Sequence, residues 1–288
     1  MRIMIFGISS FLGKKLWSIL TRDNHYIIGT YCNNNTKRSN DIKVNLLEYD
    51  KIIDLLENYC PDIIIYCAAL SSIQECEKNK NTAMMLNSVT PINIAMWCEK
   101  NKKTIVYISS ECVYDGNQDF YFESSQCIPV NFYGTTKLIS EIAIKNIFKN
   151  FIIVRLPLLY GYNDPSDKDT IVKVILNSLL ENKSISLDNS RIKYPILIDD
   201  VANAIKYLIY NRRYGIYNFS SENPLSKYDM GIIMAEYLGK NKCLIKSNNS
   251  EIARIQPFKV NMRSMFFDYK FMEFKEGFKF MYEKYIRG

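Results

Sequence analysis

Arg2-Ile-Met-Ile-Phe-Gly-Ile-Ser-Ser-Phe-Leu-Gly13 decides the reading of this chain. Arg2 to Phe6 is a short apolar run fit for a buried strand. Phe11 to Leu20 then places leucines at 12, 16 and 20, along one helical face. Between them Gly7 and Gly13 bracket a turn spaced G-x-x-x-x-x-G, with Ser10 where a middle glycine is usual. A turn of this kind opens a helix whose free N–H groups and positive dipole end can receive a pyrophosphate. The same residues would also serve an ordinary strand-to-helix turn, so the surrounding pattern has to carry the argument.

That pattern alternates. Tyr26 to Tyr31 reads as a strand, the polar Asn33 to Asp41 as a loop, and Ile42 to Val44 as a short strand. Asp50 to Tyr59 reads as a helix with Ile52, Ile53, Leu55 and Leu56 on its apolar face. Ile63 to Cys67 has no polar interruption, as expected of a parallel strand covered on both faces. Thr82 to Lys100 is helical, with Met85, Val89, Ile92 and Met96 on one side. Strand Thr104 to Ile108, helix Thr135 to Phe148 and strand Phe151 to Arg155 continue the series. Such alternation predicts crossover units and an α/β fold: a Rossmann-type, doubly wound, mostly parallel sheet.

Beyond Gly161 the order loosens. Asp164 to Asp169 reads as a charged loop, Ile171 to Leu180 as a helix and Pro195 to Ile198 as extended. Helix Val201 to Tyr210, strand Tyr217 to Phe219, helix Lys227 to Leu238 and a last helix from Phe274 to Tyr285 follow. The expected organisation is a dinucleotide-binding domain over residues 1–161, with returning segments from 195–220. A smaller mixed lobe over 162–288 is expected beside it. No linker composition separates them, which predicts a cleft rather than independent domains.

Composition excludes several classes. With 288 residues, 48% hydrophobic and 23% charged, the chain is neither a disordered tail nor a disulfide-stapled miniprotein. Its apolar runs are too short or too interrupted to cross a bilayer, and Met1-Arg2 leads into a glycine turn rather than a signal-peptide cleavage site. A cytoplasmic protein without a membrane partner is expected. The net charge of +7 comes from scattered lysines, suits an anionic small substrate, and forms no dense stripe for nucleic acid. Eight cysteines lack any Cys-x-x-Cys pair and share the chain with one histidine, His25, so reduced thiols and no metal are expected.

Chemistry gathers in two places. After the second strand, Tyr31-Cys32-Asn33 offers no acid to a ribose diol, while Lys37 and Arg38 lie within reach of a 2'-phosphate. This favours NADP(H), with NAD(H) as the alternative. Ser109-Ser110 ends the Thr104 strand at the edge where open parallel sheets bind ligands, and Tyr133 and Lys137 lie one turn apart at a helix start. A neighbouring ammonium favours the phenolate, so Tyr133 could give a proton to a carbonyl as hydride arrives. Ser110 could hydrogen-bond the same oxygen.

Together these segments resemble the extended short-chain dehydrogenase/reductases, and within them the dTDP-4-dehydrorhamnose reductase-like nucleotide-sugar reductases. The resemblance rests on Gly7, Ser10 and Gly13; Val44-Asn45-Leu46; Cys67-Ala-Ala-Leu70; and Ser109-Ser-Glu-Cys-Val-Tyr-Asp-Gly116. It continues through Tyr133 to Lys137 with Glu141, Arg155-Leu-Pro-Leu-Leu-Tyr-Gly161, and Lys193-Tyr-Pro195 with Asp200-Val-Ala202, covering about residues 1–235. It implies a catalytic triad of Ser110, Tyr133 and Lys137. It implies cofactor contacts from Gly7, Ser10, Phe11, Leu12, Gly13, Asn45, Leu46, Cys67, Ala68, Ala69, Leu70, Asn87, Tyr133, Lys137 and Pro157, beside Tyr31, Lys37 and Arg38. It implies substrate contacts from Ser72, Glu111, Cys112 and Val113, with Lys193 approaching the phosphates. Two departures stand out: Ser10 for glycine, and Lys193 where arginine is common.

The implied activity is reduction of a nucleotide-linked 4-keto sugar, with a homodimer as the expected assembly. Two alternatives use the same fold. One is a nucleotide-sugar epimerase; a dehydratase would add an acidic pair beside the serine, where Glu111 is followed by Cys112. The other is a dinucleotide-binding regulatory subunit resembling that of methionine adenosyltransferase.

Overall fold

The computed structural model describes residues 1–33, 38–162, 170–248 and 256–287. The chain opens with β1 (Arg2–Phe6), α1 (Phe11–Leu20), β2 (Tyr26–Tyr31), β3 (Asp41–Lys43), α2 (Tyr49–Tyr59) and β4 (Ile63–Tyr66). Helix α3 (Ile73–Lys78) precedes a continuous helical stretch of α4 (Lys80–Met84), a π turn (Met85–Val89) and α5 (Thr90–Lys100). Then come β5 (Thr104–Ser110), α6 (Phe132–Ile147) and β6 (Phe151–Leu156). The remainder holds β7 (Leu159–Tyr160), α7 (Ile171–Leu180), β8 (Ile185–Asp188), β9 (Ile196–Leu197) and α8 (Ile198–Tyr210). It ends with β10 (Gly215–Asn218), α9 (Lys227–Tyr237), β11 (Ile245–Asn248) and α10 (Phe274–Tyr282).

Seven strands pair in the order β10-β6-β5-β4-β1-β2-β3, all parallel. The order reverses between β1 and β4, and an open α/β sheet binds ligands at the carboxyl ends beside such a reversal. Unbroken apolar strands make this possible, because successive side chains feed opposite faces. Ile63 and Ile65 of β4 join Ile3, Ile5 and Val106 against α1 and α8, while Ile64 and Tyr66 join Met4, Phe6 and Tyr107 against α2, α5 and α6. A separate core of Val172, Ile175, Leu179, Met230, Met234, Phe274 and Phe278 fills the smaller lobe, where β11 pairs with β8 and β7 with β9.

Several expected boundaries move. Helix α6 starts at Phe132, three residues early, because the Asn131 side chain accepts from the Gly134 amide at 2.8 Å and caps it there. Helix α8 starts at Ile198 rather than Val201, and the last helix leaves α geometry after Tyr282 for a π turn. Of the stripe Met85, Val89, Ile92 and Met96, the two methionines face outward, 40% and 56% exposed, while Val89 and Ile92 are half-buried. Apolar residues occur around this helix, and Ile94, Ala95, Trp97 and Cys98 take the inner face. The charged loop expected over 164–169 lies outside the described residues. Among them, no helix is long and apolar enough to cross a membrane.

Candidate active site

The glycine turn meets the end of β4. Gly7 has φ +82°, and a Cβ there would come within 2.7 Å of the Ala68 nitrogen. Only glycine allows that backbone and that approach. Gly7 and Ile8 amides donate to the Thr30 carbonyl at 3.2 and 2.9 Å, fixing the turn against β2. Ser10 caps α1, its hydroxyl oxygen accepting from the Gly13 amide at 3.0 Å. Its own proton can still be donated to a phosphate oxygen. Leu12 is buried in the core beneath, and Phe11 is half-buried at the helix start.

Cys67, Ala68, Ala69 and Leu70 are half-buried beyond β4. Asn87 holds this loop rather than facing the crevice. It is fully buried, its side chain accepts from Leu70 N–H at 2.9 Å, and it donates to the Leu70 carbonyl at 3.1 Å. Its own carbonyl, in the wide π turn, accepts from Tyr107 and Ser140 hydroxyls, each at 2.8 Å. Tyr31 is half-buried at the end of β2, Asn45 is exposed, and Leu46 and Pro157 are buried. Arg38 lies flat on Trp17, with its guanidinium carbon 3.8 Å from the ring centroid. Its Nη1 is 3.8 Å from Asp41 and, though buried, makes no hydrogen bond. Lys37 lies outside the described residues.

The expected triad is brought together by one close approach. Ser110, at the end of β5, accepts from the Cys112 amide at 3.2 Å and caps a short 3-10 turn, Glu111–Val113. A Cβ on Gly134 would lie 2.0 Å from the Cys112 carbonyl oxygen, so the first turn of α6 can rest directly on that 3-10 turn. Tyr133 is thereby brought beside the Ser110 hydroxyl, which favours the ionised form of its phenol. Lys137, one turn on, donates to the Ile108 carbonyl at 2.8 Å. Its ammonium is 4.6 Å from the Tyr107 ring centroid and 5.8 Å from that of Tyr133.

Burial dominates the electrostatics here. It pulls the Lys137 ammonium down to about 8, against the opposing pull of Cys67 and Glu141. It pushes the Tyr133 phenol up, and the Ser110 hydroxyl only partly offsets this. The expectation that the neighbouring ammonium lowers the phenol is therefore overridden by desolvation. Tyr133 stays protonated at neutral pH, suited to act as an acid.

On the substrate side the structure redistributes the expected contacts. Lys193, expected to approach the substrate phosphates, donates to Glu111 at 2.6 Å. Burial alone would lower its pKa, but the Glu111 carboxylate wins and raises it. The second Glu111 oxygen is buried and makes no hydrogen bond, which leaves a lone acceptor one residue from Ser110. Ser72 caps α3, accepting from the Glu75 amide at 3.3 Å. Cys112 is half-buried, whereas Val113 turns into a core with Tyr114, Tyr121, Val260 and Met262. Sequence reasoning missed Asn131 as the cap and Tyr107 as the floor under Lys137.

A glycine turn on β1, an alanine loop after β4, a serine ending β5 and a Tyr-x-x-x-Lys turn opening α6 together define an extended short-chain dehydrogenase/reductase. The chain belongs to the RmlD substrate binding domain family, whose model matches residues 1–264. It is 28% identical over 240 residues to methionine adenosyltransferase 2 subunit beta of Xenopus tropicalis, covering 82% of this chain and 71% of that one. It is 25% identical over 251 residues to the probable low-salt glycan biosynthesis reductase Agl14 of Haloferax volcanii, covering 86% and 84%. Its fold matches dTDP-4-dehydrorhamnose reductase of Bacillus anthracis in complex with NADP, with TM-score 0.85, 23% identity and 99% of each chain covered. It likewise matches the Yersinia enterocolitica reductase, with TM-score 0.87, 22% identity and 99% of each chain covered.

Proposed function

We propose that this protein reduces the 4-keto group of a nucleotide-linked sugar with NADPH. The observation that carries this reading is the packing of the first turn of α6 on the turn after Ser110, which brings Tyr133 beside Ser110 with the Lys137 ammonium 5.8 Å from its ring centroid, at the carboxyl edge of β5. The residues fit a dinucleotide: the Gly7 turn and Ser10 would take the pyrophosphate, and Ala68 to Leu70 with Pro157 would border the nicotinamide. Arg38, with a buried nitrogen that makes no hydrogen bond, would meet the 2'-phosphate of NADP. When bound, the cofactor supplies the hydride. Ser110 orients the ketone oxygen, and Tyr133 passes its phenolic proton to that oxygen. Lys137 holds positive charge below the phenol and toward the ribose. The free oxygen of Glu111 accepts from a sugar hydroxyl.

The direct test is oxidation of NADPH on addition of a dTDP- or UDP-linked 4-keto-6-deoxyhexose. An epimerase would convert the sugar without net oxidation. Arg38→Ala should weaken NADPH binding about tenfold or more while leaving NADH within about twofold, read by fluorescence titration. Equal losses for both would remove Arg38 from the phosphate.

A regulatory-subunit reading is favoured by one observation, the 28% identity to methionine adenosyltransferase 2 subunit beta. It predicts dinucleotide binding without turnover across a 4-keto sugar panel. The complete triad weighs against it. The outward apolar face of α5 and α6, with Met96 56% and Ile142 53% exposed, suits a homodimer. Ile142→Glu should therefore sediment as a monomer where the wild type is a dimer. All eight cysteines are free, which suits a reducing, cytoplasmic setting.

A further inference from the structure

Two motif residues that the proposed chemistry leaves without a task, Glu141 and Arg155, meet in the wall of the site. We propose that this buried ion pair is a positioning device, which ties the ends of β5 and β6 to the middle of α6 and so sets where Lys137 stands and what charge faces it.

Arg155 stands opposite Ser109 in the β5–β6 register. Its Nε donates to both Glu141 oxygens at 3.1 and 3.0 Å, and its Nη2 to one of them at 2.6 Å. Nη1 donates to the Tyr114 hydroxyl and, at 3.3 Å, to the Glu123 carbonyl. Ser109, next to Ser110, donates to Glu141. Glu141 lies one turn beyond Lys137, and the side chains of Glu141 and Arg155 are 2% and 3% exposed. One guanidinium thus ties the serine end of β5, the lysine face of α6 and the Tyr114 to Glu123 segment.

Stability alone gives little reason for two charges here, since desolvation consumes much of a buried pair's attraction and apolar replacements often do as well. What a charged pair adds is fixed geometry and a field. The groups facing Lys137 are Cys67 after β4, Cys76 on α3, the Tyr107 ring and Ile108 carbonyl on β5, and Tyr133 and Glu141 on α6. Arg155 reaches it from β6 through Glu141. The carboxylate is the end of the pair that shares α6 with Lys137, one turn on, and it opposes the loss of the lysine's proton on burial.

The catalytic consequence rests on the reductase reading; the effect on Lys137 does not, so the test reads that lysine directly. In the full chain with isotope-labelled lysine, the Lys137 signal is assigned by its loss in Lys137→Met and titrated by NMR. The wild-type midpoint is expected at about 8. Glu141→Gln/Arg155→Met, which leaves neither charge buried alone, should lower it by about one unit, a tenfold loss of proton affinity. If that variant does not fold, the isosteric Glu141→Gln gives the same reading. Arg155→Lys retains both charges and should keep the midpoint at or above the wild-type value. An unchanged midpoint without Glu141, or a lowered one in Arg155→Lys, overturns the proposal. Where sugar reduction is measurable, the alkaline limb of kcat/KM should move with the midpoint. Variants that shift the midpoint as expected, in a protein whose wild type reduces no sugar, would instead overturn the reductase reading.

Discussion

Tyr133→Phe is expected to lower the rate of sugar reduction about a hundred- to ten-thousand-fold, the usual worth of a positioned general acid. The substitution removes one oxygen from a ring whose place is set by other contacts. The Asn131 cap and the packing of Gly134 on Cys112 both remain. Cofactor affinity should therefore stay within about threefold, since the pyrophosphate and ribose are assigned to the Gly7 turn, Ser10 and Lys137, and the cofactor contact expected of Tyr133 is one among many. Stopped-flow hydride transfer at saturating NADPH separates the two effects. Near-normal turnover would remove Tyr133 from the chemistry, and a large loss of binding alone would recast it as a cofactor ligand.

Lys137→Met should lose both turnover and cofactor affinity, because the ammonium is assigned to the phenol and to the ribose. We expect at least a hundredfold fall in kcat and about tenfold weaker NADPH binding. The wild-type pH profile carries the same assignment. Burial brings the Lys137 pKa from 10.5 down to about 8, so the charged form predominates below pH 8 and is lost as pH rises through it. The kcat/KM of the wild type should accordingly fall on the alkaline side with a midpoint near 8, and Lys137→Met should lack that limb. A flat profile up to pH 9.5 would show that the ammonium is not required.

Most of the sheet was legible because its signal is local and repeated. Ile63 to Tyr66 admits no polar residue, and a strand buried on both faces permits none. The placement of Ser110 at a strand end and of Tyr133 and Lys137 at a helix start was legible from spacing and position. What escaped depends on distant contacts. The outward turn of Met85 and Met96 could not be read from a helix with apolar residues on several sides, because the neighbouring sheet selects which of them go in. The pairing of Lys193 with Glu111, 82 positions earlier in the chain, shows in neither residue's sequence neighbours. Asn87 carries the polarity of a ligand contact, but the π turn points it inward to pin Leu70. The order of influences on Tyr133 also needed the fold, since spacing shows a lysine nearby and cannot show how little water remains.

Deuteride transfer tests the central claim most directly. With NADPH carrying deuterium at the transferable position of nicotinamide C4 and a nucleotide-linked 4-keto-6-deoxy sugar, mass spectrometry of the product should show one deuterium at sugar C4 for each NADPH oxidised. A sugar returned without deuterium and with the cofactor unspent, or bound without conversion, would contradict the assignment of this site as a ketoreductase.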